Sequence, residues 1–196
     1  MKHALRCAAL AAVGLPLVSC LGGGGVGEGT AVTGSCQSIS VGGATVTTGK
    51  DPACINCNVT NPQAAIDNDL GTAATISAPN ATAGQGAWIV ASIQPGIVFP
   101  GGQRAGVFYA PPFSAGFNNP DQHVFITTFL GGEQQETPAT NDDYDLRSPE
   151  QTGTAYFYRS FVTTMAFDAI RVEISDTQAA TGPYEIQEIC SDGTID

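Results

Sequence analysis

Downstream of its N-terminal leader, the residues with most chemical reach are Cys36, Cys54, Cys57, Cys190 and the lone histidine His123. A Cys-x-x-Cys spacing, here Cys54-Ile55-Asn56-Cys57, supports thiol redox chemistry when it opens a helix, where the helix N-terminus favours the thiolate. Pro52 precedes this pair and Asn58-Val59-Thr60-Asn61-Pro62 follows it, which is not a helix start. A four-cysteine zinc site needs two close pairs, whereas Cys36 and Cys190 stand alone. Disulfides are the remaining use. Four cysteines allow three pairings; Cys36 and Cys190 bracket the domain, so a bridge from first strand to last is attractive and leaves Cys54 and Cys57 as a local loop.

Catalytic devices are hard to assemble. A Ser-His-Asp arrangement has His123 alone to draw on, and no Gly-x-Ser-x-Gly elbow presents a nucleophile. No spacing among the many carboxylates singles out a pair for glycoside hydrolysis. Gly22 to Gly25 lack the lysine and helix of a phosphate loop. Asn141-Asp142-Asp143-Tyr144-Asp145 has Leu146 and Thr152 where an EF-hand loop needs glycine and glutamate, so it reads as a solvated loop. The expectation is a protein that is not an enzyme.

The elements that would carry these residues are strands. Short β-branched and aromatic runs recur between Gly, Pro, Asn and Asp clusters, and no long amphipathic helix is present. Eight strands are predicted at Ser38–Thr48, Ala73–Ala78, Gly86–Gln94, Arg104–Ala110, His123–Leu130, Thr154–Val162, Ala169–Ser175 and Tyr184–Cys190. That number in one domain predicts an all-β fold, a single jelly-roll β-sandwich. Trp88, Phe99, Phe108, Phe125 and Phe167 are assigned to its core. Asn61 to Asp67 reads as one helical turn, and Glu133 to Gly153, polar and broken by proline, as a long surface loop.

The leader fixes the expected compartment. Lys2 and Arg6 precede an apolar run from Cys7 to Val18, about half of the roughly 20 residues a spanning helix needs, which reads as a signal peptide. Leu17-Val18-Ser19-Cys20 resembles the lipobox of bacterial lipoproteins, which implies cleavage after residue 19 and lipidation of Cys20. Acyl chains of that kind anchor a protein with no transmembrane helix. Leu21 stands where an aspartate would imply retention at the inner membrane, so the resemblance implies the outer membrane. Residues 20–35 form the lipidated, Gly-rich tether and residues 36–196 the domain. After Cys20, five basic residues face eighteen acidic ones, a formal charge of −13, which argues against nucleic acid and anionic lipid as partners.

One segment carries a second resemblance. Ala65-Ile66-Asp67-Asn68-Asp69-Leu70-Gly71-Thr72 resembles the opening turn of galactose-binding-like, discoidin or coagulation-factor type C domains, with Asn68 where glycine is usual. Asparagine tolerates positive φ, so the turn survives the exchange. Phe99-Pro100-Gly101-Gly102-Gln103-Arg104-Ala105-Gly106 resembles that family's way into a middle strand, and Tyr184 to Ile189 its closing strand. A tryptophan common just after the threonine is absent, with Ala74 nearby. The resemblance implies a β-sandwich and a structural calcium ion, with Asp67, Asp69, Thr72 and Glu188 as candidate ligands, because hard cations take several oxygens.

Two readings of function follow. In the first the domain is a surface binding module for carbohydrate or an envelope partner, with Tyr109, Phe113, Phe117, Asn118, Asn119, Tyr144 and Arg147 as candidate ligand residues, because aromatic faces and planar polar groups suit sugar rings. In the second it is a structural or assembly lipoprotein of the outer membrane with no small ligand.

Overall fold

A computed structural model of the chain describes residues 37–79, 81–82, 84–112, 123–138, 145–147, 157–175 and 182–191. The leader, Cys20, the tether and Cys36 lie outside the described residues, as do Phe113, Phe117, Asn118, Asn119 and Tyr144. The fold is all-β. Twelve strands are described: β1 (Gln37–Ser38), β2 (Thr45–Lys50), β3 (Asn58–Thr60), β4 (Ala74–Ser77), β5 (Ala87–Ser92), β6 (Arg104–Ala110), β7 (Val124–Leu130), β8 (Glu133–Gln134), β9 (Asp145–Arg147), β10 (Phe157–Val162), β11 (Ala169–Ile174) and β12 (Tyr184–Ser191).

They form two antiparallel sheets that pack as a sandwich. The larger has seven strands in the order β3-β4-β12-β6-β10-β9, with β1 also paired to β12; the smaller has five in the order β2-β5-β11-β7-β8. Sequence alternation decides which side chains point inwards. In β5, Ala87, Ile89 and Ala91 are fully buried while Trp88, Val90 and Ser92 alternate with them on the other face. Val172 and Ile174 of β11 and Ile126 of β7 complete that inner layer, and Ile76, Val107, Tyr109, Ile186 and Ile189 face it from the other sheet. Burying each such branched side chain contributes about 1.5–3 kcal/mol, which makes this layer the main stabilising element.

All eight predicted strand regions are populated, with three corrections. The predicted Ser38–Thr48 strand is split: a 3-10 turn over Ile39–Gly42, capped by the Ser38 hydroxyl, separates β1 from β2. The chain thereby passes from one sheet to the other. The predicted surface loop at Glu133–Gly153 contains β8 and β9. Trp88 and Phe125, assigned to the core, instead lie half-buried on the outer side of β5 and β7, whereas Phe99, Phe108 and Phe167 are buried as expected. The helical turn predicted near Asn61 is a 3-10 turn over Pro62–Ala65.

Candidate functional site

β12 positions the first candidate site. Opposite β6 its register slips at Gln187, so Ile186 faces Tyr109 while Glu188 faces Phe108. One inserted residue leaves Ile186 and Ile189 on the core side and turns Glu188 to the opposite face. There the segment following Pro62–Ala65 covers it, leaving Glu188 4 % exposed. Asn68 in this segment has φ +60°, the left-handed conformation the sequence requires of it, and its N–H donates to Glu188 Oε2 at 2.8 Å. Asn61 braces the turn from its start, its Nδ2 donating to the Ala73 carbonyl at 3.1 Å.

Within the turn the side chains bond to each other. Thr72 Oγ1 donates to Asp67 Oδ2 at 2.6 Å, Asp69 N–H donates to Asp67 Oδ1 at 3.0 Å, and Gly71 N–H donates to Asp69 Oδ1 at 2.8 Å. Glu188 Oε1 is buried with no hydrogen-bond partner. Burial pushes the Glu188 carboxyl up to about 7, the Ser38 hydroxyl and the Asn68 N–H acting against it and the Asp67 charge adding to it. Asp67, Asp69, Thr72 and Glu188 are therefore brought into one locale from opposite ends of the domain. Among the described residues no three His, Cys, Asp or Glu side chains converge as a metal-ligating cluster, so any cation here would draw on carbonyls and water as well. The orphaned Glu188 oxygen beside the Asp67 charge is the feature that fits one.

The candidate ligand residues fare differently. Tyr109 is a correction: it is fully buried in β6, its ring 5.8 Å from that of Phe157, because its place in the β6 alternation faces the other sheet. Arg147 stands in β9 opposite Tyr158. His123 packs edge-on against Tyr184 at 6.4 Å. Cys54 and Cys57 are joined in a disulfide, and Cys190 is also disulfide-bonded.

Registers fix the two ends of the sandwich. β12 runs from Tyr184, with Glu185 beside Ala110, to Ser191, beside Gln37. Gln37, where β1 begins, and Ala110, where β6 ends, are thus at opposite ends, roughly 20 Å apart at the rise of a strand.

A second locale was missed in sequence. Val90, Ser92, Ile93, Pro95, Phe129 and Asp168 line a shallow cleft of about 420 Å³ that opens on the outer side of the five-stranded sheet. Asp168 Oδ2 accepts from Gly131 N–H at 2.8 Å and so fixes the Gly131-Gly132 turn at its rim.

An antiparallel all-β sandwich with an exposed acidic turn set over a buried glutamate is the class these features define. No protein-family model and no curated protein matches the chain. It is similar to a His 62 mutant of the lectin binding domain of Lectinolysin complexed with Lewis b (10 % identity, TM-score 0.48, 80 % of this chain and 96 % of that one). It is also similar to the C-terminal domain of a chitobiase from Bacteroides fragilis (15 % identity, TM-score 0.47, 83 % and 99 %).

Proposed function

We propose that this chain is a non-catalytic carbohydrate-binding module, lipidated at Cys20 and displayed from the outer membrane on its Gly-rich tether. The observation that carries the reading is the opposition of the two ends: Gln37, next to the tether, pairs with Ser191, while β6 leaves at the far end toward Phe113, Phe117, Asn118 and Asn119. A domain anchored through residues 20–36 would hold the Ala110 end of the sandwich away from the membrane, where a glycan could reach it. A glycan array probed with the purified domain tests this, and the absence of any selective hit would sink it.

Calcium belongs to the same reading. Glu188 and Asp67 would hold it, with Asp69 and Thr72 contributing oxygens, and the ion would supply charge neutralisation for a buried carboxylate, locking the turn to β12. Binding to the native state alone raises stability by RT ln(1 + [L]/Kd). Calcium added to chelated protein is therefore expected to raise Tm, and the rise should vanish in Asp67→Ala. Cys36 is the partner we assign to Cys190, since Gln37 already lies opposite Ser191; peptide mapping of unreduced protein checks it.

A further inference from the structure

We infer that the outer face of the five-stranded sheet is a second, flat saccharide-binding surface, centred on Trp88, Arg171 and Phe129, for a neutral polysaccharide. The inference rests on the carbohydrate reading above but places a contact surface where the loop residues are not. Cross-strand registers set the side chains in three rows across β2, β5, β11 and β7: Gly49-Trp88-Glu173-Phe125, Thr47-Val90-Arg171-Thr127 and Thr45-Ser92-Ala169-Phe129. The inner side of the same strands is the core, so alternation sends all of these to the opposite face.

Trp88 lies across β2. A Cβ at Gly49 would meet Cε2, Cζ2 and Nε1 of the indole at 2.6 Å each, so the missing side chain makes room for the ring against the strand. The Arg171 guanidinium carbon stands 5.5 Å from the Trp88 ring and 5.5 Å from the Phe129 ring, which places the two rings at most 11 Å apart. Arg171 is held there by Glu173 at 3.2 Å. Flat rings and a planar guanidinium on one rigid face suit the apolar faces of sugar rings, with the ion pair and the exposed Thr45 and Thr47 hydroxyls left for sugar hydroxyls. The cleft bounded by Val90, Ser92, Phe129 and Asp168 continues this face, and its volume of about 420 Å³ is that of a small-ligand site.

Charge selects the occupant. The chain carries a formal charge of −11, and the one arginine in these rows is already paired with the one glutamate. Among the described residues of these rows a polyanion or an anionic bilayer would meet no uncommitted cation, whereas an uncharged, hydroxyl-rich polymer meets no penalty.

Trp88 is the one tryptophan of the chain, so its fluorescence reports on this face alone. The full chain, purified in detergent, is titrated with laminarin, galactomannan and xylan, with heparin as the charge control, and retention in gels containing each polymer is measured in parallel. The expected result is that a neutral polymer shifts Trp88 emission saturably and shields it from acrylamide. Phe129→Ala, and Ser92→Glu as a variant that leaves both rings in place, weaken binding about tenfold, while Phe113→Ala with Phe117→Ala changes it less than about twofold. Retention with unchanged Trp88 emission, lost in the Phe113 and Phe117 variants and kept in Phe129→Ala, overturns the sheet-face site and keeps the carbohydrate reading. Retention by heparin alone overturns the neutral-polymer assignment, and retention by no polymer overturns both readings.

Discussion

The two sheets treat their outer faces differently. On the seven-stranded sheet Phe108, Tyr158 and Cys190 form a second buried cluster behind the main core, and the Asp67–Thr72 turn closes over Glu188, so much of this sheet is covered on both sides. On the five-stranded sheet Trp88, Val90, Phe125 and Phe129 are half-buried on the outer face, with Arg171 lying between the Trp88 and Phe129 rings. Aromatic residues are thus used for packing on one sheet and left within reach of solvent on the other. A buried aromatic residue reports on stability; half-exposed aromatic residues on an outer face are where a partner can contribute further contact.

Breaking that contrast begins in the core. Phe167→Ala removes a fully buried ring stacked on Phe99 at 5.0 Å and should cost about 3–5 kcal/mol in urea unfolding. Phe129→Ala on the outer face of the five-stranded sheet should cost about 1 kcal/mol. Equal losses would mean that the outer row is core after all.

Glu188 sharpens the contrast through pH. Its folded-state value is raised, so its contribution to stability is complete below the unfolded carboxyl value and is lost as pH rises toward about 7. In metal-free protein that loss amounts to roughly 3 kcal/mol at most. Glu188→Gln should flatten the slope between pH 5 and pH 7.5, and an unchanged slope would remove Glu188 as its source. Saturating calcium should flatten it too, by stabilising the ionised form.

Replacing Cys54 and Cys57 by serine opens a ring with a sequence separation of 3 and should cost about 2 kcal/mol on the chain-entropy account. The smallest effect is expected at Glu136, which accepts bonds from Thr164 N–H, Thr164 Oγ1 and Met165 N–H and ties the segment following β8 to the turn before β11. Burial works against its ionisation, but those bonds outweigh it and hold the carboxyl below its ordinary value. Its contribution is present at neutral pH and lost as pH falls through the folded value, so Glu136→Gln should narrow the difference in Tm between pH 6 and pH 3.

What the sequence made legible was local. Period-two runs located the long strands within a few residues, because alternation is a property of the segment itself, and the left-handed turn at Asn68 was readable from the residue type and its neighbours. β8 and β9 were not, since two or three residues carry no period and pair only because a neighbouring edge is available. Trp88 and Phe125 show the same limit: their alternation with Ala87, Ile89, Val124 and Ile126 was visible in sequence, but hydrophobicity alone assigned them inwards. Which face is the core depends on the sheet packed opposite.

By itself the sequence determined the all-β class, the acidic balance and the turn that meets β12. Tertiary structure decided that a bulge at Gln187 aims Glu188 under that turn, that Tyr109 is core, and that one sheet carries half-buried aromatic residues on its outer face. The physical reason is sequence distance: Asn68 and Glu188 are 120 residues apart, and no local pattern encodes which of two faces a strand will bury until both sheets are in place.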